Sequence, residues 1–335
     1  MTQENGYRKV GKNKLNVPEE MLNSAIDLSV VTSFSIEVIK PYNFLYSLWK
    51  PSHFYTGLEM HSGNISWRSF RVNQSLFTVV KMLYGDCELY VDVYSNRDLN
   101  SNECKQLKDW IINAYGLNER YSVPDEVANK NKYVKNLWKF FKGTRISCPE
   151  NFFEISIISL LLQNTTITRT TTMFHNLIKH YGYLVRFEDK ALFSFYSPEE
   201  LISVTESELR EKCRLGYRAK YIANYANFFS NYNDNDLRKL NKDTLLNLLQ
   251  EIKGVGIYTA NVVASSALRD TQAIAFDSWN RKILANKLYN IECDDVDILK
   301  DKMFNDFGVY AGIIALYVVE NEYKDNPVVS LIDEI

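Results

Sequence analysis

Cysteine is sparse in this chain: five residues in 335, at Cys87, Cys104, Cys148, Cys213 and Cys293, and no Cys-x-x-Cys pair. That scatter excludes a disulfide framework and points to separate, reduced and mostly buried thiols. Histidine is scarcer still, at four, and no cluster of His, Cys or Asp has the spacing of metal ligands, so metal catalysis gains no support and no metal-binding residue is assigned. His53 has no partner recognisable in the sequence and reads as structural. No apolar run is long enough to cross a bilayer, and Met1-Thr2-Gln3-Glu4 does not begin a signal peptide, which leads us to expect a soluble, intracellular protein with no membrane contact. An excess of one charge is also missing. Lys plus Arg number 39 against 41 Asp plus Glu, for a net charge of −2, so any surface for a polyanion has to be a local patch.

What is present is apolar material, 46% of the chain, enough for a sizeable core over two or three domains. Residues 1 to about 27 are polar and are expected to fray or be partly helical. From Val30 to Tyr94, short runs rich in Val, Ile, Phe and Tyr follow one another: Ser33–Val38, Ser66–Val72, Leu76–Leu83 and Glu88–Tyr94. Gly63-Asn64, Asn73-Gln74 and Gly85-Asp86 separate them, which predicts an antiparallel sheet with tight turns. Ser101–Tyr115 returns to helical spacing, with Leu107, Trp110, Ile111 and Ala114 on one side. From Pro124 onward the pattern is helical almost throughout. The lysine-rich stretch Val127–Phe141 reads as one helix with a solvated face, and the strongly apolar stretch Pro149–Leu162 reads as a core helix. The fold class is α+β, an N-terminal antiparallel sheet domain over 1–122 followed by an all-α domain over 123–335.

The most informative stretch runs from Leu245 to Leu288. Leu245, Leu248, Leu249 and Ile252 recur at helical spacing, Gly254 and Gly256 flank Val255, and a second helix starts near Ile257 with Ala260, Val263, Ala264 and Ala267 on one face. The glycines let the chain reverse within three residues, and the small residues let two helices lie close. This is a helix-hairpin-helix, whose unpaired amides at the turn and at the start of the second helix form a site for a phosphate. Taken alone, Gly-Val-Gly is equally readable as an ordinary hairpin with a glycine cap. Beyond it, the apolar run Ala273–Phe276 leads to Asp277-Ser278, which opens the amphipathic helix Trp279–Leu288, so Asp277 stands in a cap position.

The hairpin followed by this capped acid resembles the signature of the helix-hairpin-helix (HhH-GPD) DNA glycosylases, the superfamily that includes endonuclease III and the 3-methyladenine and 8-oxoguanine glycosylases. Asp277 follows Tyr258 by 19 positions, the family's spacing between the hairpin residue that sets the reaction type and the acid. The resemblance spans roughly 148 to 320 and closes on Gly308-Val309-Tyr310-Ala311-Gly312. It implies that Asp277 is catalytic. It further implies that Gly254, Val255, Gly256 and Thr259 grip a DNA phosphate. In Gln163–Arg169 and Leu215–Tyr221, Asn164, Arg169, Tyr217 and Arg218 fall on the positions that wedge into the base stack and read the base opposite the lesion. Flipping a base leaves a hole that an aromatic ring can fill, while Arg and Asn satisfy the widowed base. The family's architecture implies two helical lobes, 149–250 and 123–148 plus 251–335, with a cleft between them, and a TBP-like sheet domain in front. The implied partner is double-stranded DNA carrying a damaged base, bound by a monomer. The C-terminal cysteine cluster of endonuclease III is missing, so no iron–sulfur cluster is expected, and no cofactor beyond a monovalent cation on the hairpin carbonyls.

Two departures bear on mechanism. Bifunctional members carry a lysine where this chain has Tyr258, and a phenol, with a reference pKa of about 10, cannot form their Schiff base. The closing helix has Ala315 and Val319 where the 8-oxoguanine enzymes place a glutamine and a phenylalanine. The resulting expectation is monofunctional hydrolysis of the N-glycosidic bond, with Asp277 stabilising the cationic sugar and orienting water. Tyr258 and Trp279 are then the electron-rich rings of the lesion pocket, suited to an alkylated purine. Two alternatives stay open: an oxidised-purine (8-oxoguanine) glycosylase that reads an opposite cytosine, supported by Asn164, Arg169, Tyr217 and Arg218, and a non-catalytic DNA-binding protein that keeps the hairpin as a clamp.

Overall fold

A computed structural model describes residues 17–48, 55–85, 87–120, 123–274, 276 and 278–324. The expectations stated for residues 1–16, His53, Asp86 and Asp277 lie outside them. The chain begins with α1 (Glu19–Asn23), β1 (Ile26–Asp27), β2 (Ser29–Glu37) and α2 (Phe44–Leu48), and continues through β3 (Glu59–Ser62), β4 (Ile65–Asn73), β5 (Leu76–Gly85), β6 (Glu88–Ser95) and α3 (Ser101–Tyr115). Strands β2 to β6 form the expected antiparallel sheet, in the order β2-β6-β5-β4-β3. Period-two alternation sends Val80, Met82, Leu89, Val91 and Val93 to one face, where Leu107, Ile111 and Ala114 of α3 cover them. Trp67, Phe77, Val79 and Tyr94 point to the other face.

That second face meets an element the sequence pattern hides. Instead of unbroken helix after Pro124, residues 183–194 form a hairpin of β7 (Tyr183–Phe187) and β8 (Lys190–Ser194), turning at Glu188 with φ of 50°. β1 pairs parallel to β7, Ile26 beside Val185, to make a three-stranded sheet. Val185, Phe187 and Leu192 cover the N-terminal sheet, while Leu184, Ala191 and Phe193 enter the helical core. The hairpin therefore belongs to two cores at once, and the helical domain is not all-α.

The remaining helices are α4 (Asp125–Ala128), α5 (Lys132–Phe141), α6 (Phe152–Leu162), α7 (Ile167–Tyr181), α8 (Pro198–Ile202), α9 (Glu206–Cys213), α10 (Ala219–Phe229), α11 (Asp234–Lys239), α12 (Lys242–Gln250), α13 (Ile257–Ala267), α14 (Ser278–Tyr289), α15 (Val296–Phe307) and α16 (Ala311–Tyr323). The single helix expected over Val127–Phe141 is two, because Asn131 is extended and caps α5 by accepting from the Tyr133 and Val134 amides. Helix α6 is buried over nearly its whole length and is the axis of the first lobe. Its core includes Ala260, Val263, Ala264 and Ala267, so α13 packs with this lobe rather than with the second, as small residues allow. The second lobe gathers α5, α14, α15 and α16. By length and composition Val296–Tyr323 could cross a membrane, but Gly308, at φ of 56°, divides it, and Met303, Phe307, Ile313 and Ile314 fill this core.

The sheet is joined to α6 by one ion pair. Arg68 of β4 donates to Glu154 of α6 at 2.6 Å, with side chains 2% and 6% exposed. Removing one partner of such a pair strands a charge in the interior. Arg68→Met should therefore lower the unfolding free energy by about 3–5 kcal/mol in urea titrations, whereas Arg68→Met with Glu154→Leu should recover most of that loss.

Candidate active site

The hairpin forms as its spacing predicts. Leu245, Leu249 and Ile252 are buried, and the Val255 amide donates to the Ile252 carbonyl at 2.9 Å to close the turn. Gly254 has φ of 102°, and a Cβ there would lie 2.6 Å from Cγ and Cδ1 of Tyr221, so both conformation and space exclude a side chain. Gly256 is different. Its φ of −89° is ordinary and nothing lies within 4 Å of a Cβ built on it, so the fold leaves open ground beside the first turn of α13. No side chain caps that turn. Val255 is buried, and Thr259 is 4% exposed with its hydroxyl accepting from Nε2 of Gln163 at 3.0 Å, so what it presents to an anion is its main-chain amide.

Beside this turn opens a cleft of about 1020 Å³ between the two lobes. Tyr258, Asn261, Val262 and Ser265 line it from α13, Asn280 and Leu284 from α14, Lys300 and Phe304 from α15, and Ala315 and Val319 from α16. Each set recurs three or four residues apart, a helical face that periodicity alone could have revealed. The connection Asp270–Ile274 forms another wall, with Phe276 beyond it, and is held from two sides. Asp270 accepts from Lys242 at 2.5 Å and from the Gln272 amide at 2.9 Å. Burial works to raise its pKa, but those two donors outweigh burial and hold the carboxyl below its usual range. On the other side, the Ile313 amide donates to the Thr271 carbonyl at 3.1 Å. There a Cβ on Gly312 would stand 2.4 Å from the Thr271 oxygen and 2.5 Å from that of Ala273. Asp277 is outside the described residues; Phe276 and Asn280, close to it on either side, both line the cleft.

The sequence-predicted residues divide accordingly. Tyr258 stands in the cleft and is 52% exposed. Trp279 is not among the described lining: one helical step, about 100°, from Asn280, it tilts against Tyr323 with ring centroids 5.1 Å apart. Phe276 and Phe304 supply the further rings. Asn164, Arg169, Tyr217 and Arg218 come together at the C-terminal end of α6. Asn164 is exposed with φ of 47°, Arg169 is exposed with Nη2 3.9 Å from a Cβ built on Gly216, and Tyr217 is 39% exposed. Arg218 corrects the expectation. It is 2% exposed, lies under the Tyr217 ring, and donates to the Leu160 carbonyl at 3.1 Å and to that of Gln163. A three-residue 3-10 turn, Gly216–Arg218, rotates it inward, so it braces the end of α6 beneath Tyr217. The contacts of Gln163 and Gly312 and the Lys242–Asp270 pair were not readable from the sequence, because a polar residue or a glycine at a helix end is ordinary.

The two hairpin glycines give opposed expectations in thermal or urea unfolding. Gly254→Ala should cost about 2 kcal/mol or more through its left-handed φ and the clash with Tyr221, while Gly256→Ala should change stability by no more than about 0.5 kcal/mol.

A family model for the HhH-GPD superfamily base excision DNA repair protein matches residues 157–326. A "Probable N-glycosylase/DNA lyase" of Methanothermobacter thermautotrophicus is 26% identical over 164 residues, 43% of this chain and 52% of that protein, so the match spans about half of the relative's length. Among solved structures, the 3-methyladenine DNA-glycosylase of Archaeoglobus fulgidus superposes with a TM-score of 0.70 at 17% identity, over 88% of this chain and 100% of that one. The apo form of Clostridium acetobutylicum 8-oxoguanine glycosylase/lyase gives 0.65 at 18% identity, over 89% and 99%. These likenesses are of fold and extend through the N-terminal sheet domain. The family match covers about half of the chain and includes the hairpin, the cleft and the closing helix: the chain belongs to the HhH-GPD superfamily of base excision DNA repair proteins.

Proposed function

We propose that this chain is a DNA glycosylase that takes a damaged purine, turned out of the duplex, into the cleft and hydrolyses its N-glycosidic bond without cutting the strand. The observation that carries this reading is the cleft at the hairpin, where uncapped amides adjoin open space at Gly256 and Tyr258 lines the wall; the resemblance that aligns Tyr258 with the lysine of bifunctional members supports hydrolysis without strand cleavage. A phosphate beside the lesion would rest on the amides from Gly256 to Thr259. Main-chain oxygens of the turn suit a monovalent cation, and the Ile252 oxygen already accepts the Val255 amide; such an ion would offset phosphate charge.

Unstacking a base costs a few kcal/mol, and filling the hole repays part of it. Tyr217 is the ring for that hole, with Asn164 and Arg169 for the edge of the opposite base and Arg218 beneath. As the glycosidic bond lengthens, positive charge grows on the sugar. Asp277 stabilises it and orients the attacking water, and the base leaves with the bonding electron pair. An alkylated purine already carries positive charge and is attracted to the faces of Tyr258, Phe276 and Phe304. Trp279, set against Tyr323, belongs to the rim.

Small apolar side chains at Ala315 and Val319 favour the alkylated purine, since neither offers a hydrogen bond to an oxidised one. The 8-oxoguanine reading draws on the gathering of Asn164, Arg169 and Tyr217, residues that address the opposite strand and carry no information about the lesion.

Duplexes with 3-methyladenine, hypoxanthine or 8-oxoguanine test the proposal. Base release without nicking is expected, with 3-methyladenine preferred. Asp277→Asn should slow single-turnover release by about 10²–10³-fold while DNA binding persists. Nicking accompanied by borohydride trapping would overturn the monofunctional assignment, and Lys242→Ala and Lys300→Ala would then show which cleft amine attacks.

A further inference from the structure

Three separate stretches of chain meet at Gln163, the C-cap of α6. Its carbonyl accepts from Nη2 of Arg218 and, at 3.5 Å, from the Tyr217 hydroxyl, so both residues of the wedge turn act on one oxygen. Its side-chain Nε2 donates to the Thr259 hydroxyl, at 3.0 Å, on the first turn of α13 beside Tyr258. Thr259 is 4% exposed, and its neighbours Ala260 and Val263 are packed in the core, so a pull on its side chain is transmitted to the helix rather than lost to solvent. Leu160, one turn back, is held by Nε of Arg218 at 3.1 Å, and Leu161 by the Thr170 hydroxyl at 3.3 Å. The last turn of α6 is thus braced by side chains from both the wedge turn and α7, and Gln163 is where that bracing reaches the hairpin.

We propose that Gln163 is a positioning residue that couples insertion of Tyr217 into the base stack to the seating of α13. Tyr258 and the phosphate-binding amides are then aligned for a flipped nucleotide only once the hole in the duplex has been filled. The inference rests on the glycosylase reading for its catalytic consequence, while the mechanical link rests on the contacts alone. A displacement of Tyr217 moves the hydroxyl and the Arg218 guanidinium together, shifts the Gln163 carbonyl, and through the same residue's amide alters the load on Thr259.

Gln163→Leu and Thr259→Val remove the link while nearly preserving shape, and Thr259→Ser keeps a hydroxyl for it. Single-turnover base release is measured with the lesion opposite a normal base and opposite an abasic site, where there is no widowed base to read. Gln163→Leu should be about tenfold slower on the first duplex and within about twofold of wild type on the second, adding Thr259→Val should slow release on the first no further, and Thr259→Ser should keep the wild-type hydrogen-exchange response to DNA. Equal slowing on both duplexes, or additive slowing in the double variant, would overturn the coupling in favour of a general structural role. Amide hydrogen exchange decides the link without catalysis. Binding to a duplex with a tetrahydrofuran abasic site should slow exchange at Ala260 and Asn261 in wild type and markedly less in Gln163→Leu. The same protection in both proteins refutes the link, whereas a wild type that shows the exchange difference but releases no base refutes only the glycosylase reading.

Discussion

A helix with no polar face has nothing along its length to fix its axial position, and α6 is such a helix. Its ends supply what its sides cannot. At the N-terminus Asn151 accepts from the Glu154 amide at 2.7 Å, Asp234 accepts from the Phe152 amide at 3.1 Å, and Glu154 takes the charge of Arg68 from the sheet. At the C-terminus Arg218 closes the carbonyls of Leu160 and Gln163. With both ends pinned, the apolar sides become a reference surface. The small-residue stripe of α13 lies on it, α7 and α10 flank it, and the reading residues project from its end. The cluster of Asn164, Arg169 and Tyr217 and the first turn of α13 are therefore both registered to the same end of one rigid rod.

The cleft follows from the same economy of means. Four helices each contribute a stripe at three- or four-residue spacing, and the short connection that precedes Asp277 is clamped between Lys242 of α12 and the glycine of α16. Gly312 is required by backbone atoms rather than by a turn, since two carbonyls occupy the space a methyl group would need. The wall formed by Asp270–Ile274 is thus set by main-chain contact from one lobe and by an ion pair from the other.

Much of this was legible in the sequence wherever a period ran long enough. β2 and β4 to β6 emerged from alternation and turn residues, α3 and the hairpin from helical spacing. Five residues such as Tyr183–Phe187 are too few to separate period two from period 3.6, and their first partner, β1, lies far away in the chain, so the β7–β8 hairpin stayed hidden. Trp279 shows the weight of phase: chemistry suggested a ring in the pocket, and among the described lining the place on α14 is taken by Asn280, with Trp279 set against Tyr323. The inward course of Arg218 was not legible because a 3-10 turn sets neighbouring side chains about 120° apart, which motif spacing does not convey. Asn131, extended and capping the start of α5, divided a stretch whose apolar positions on both sides keep helical spacing.

The parallel pairing of β1 with β7 also bears on how the polypeptide is made. Ile26 leaves the ribosome long before Val185, and until then the sheet face bearing Trp67, Phe77 and Val79 has no cover from the strands that bury it. Nascent chains of this protein consequently present an apolar sheet to solvent or to chaperones for as long as it takes to synthesise the first helices of the next lobe, and contacts this distant slow the final docking step.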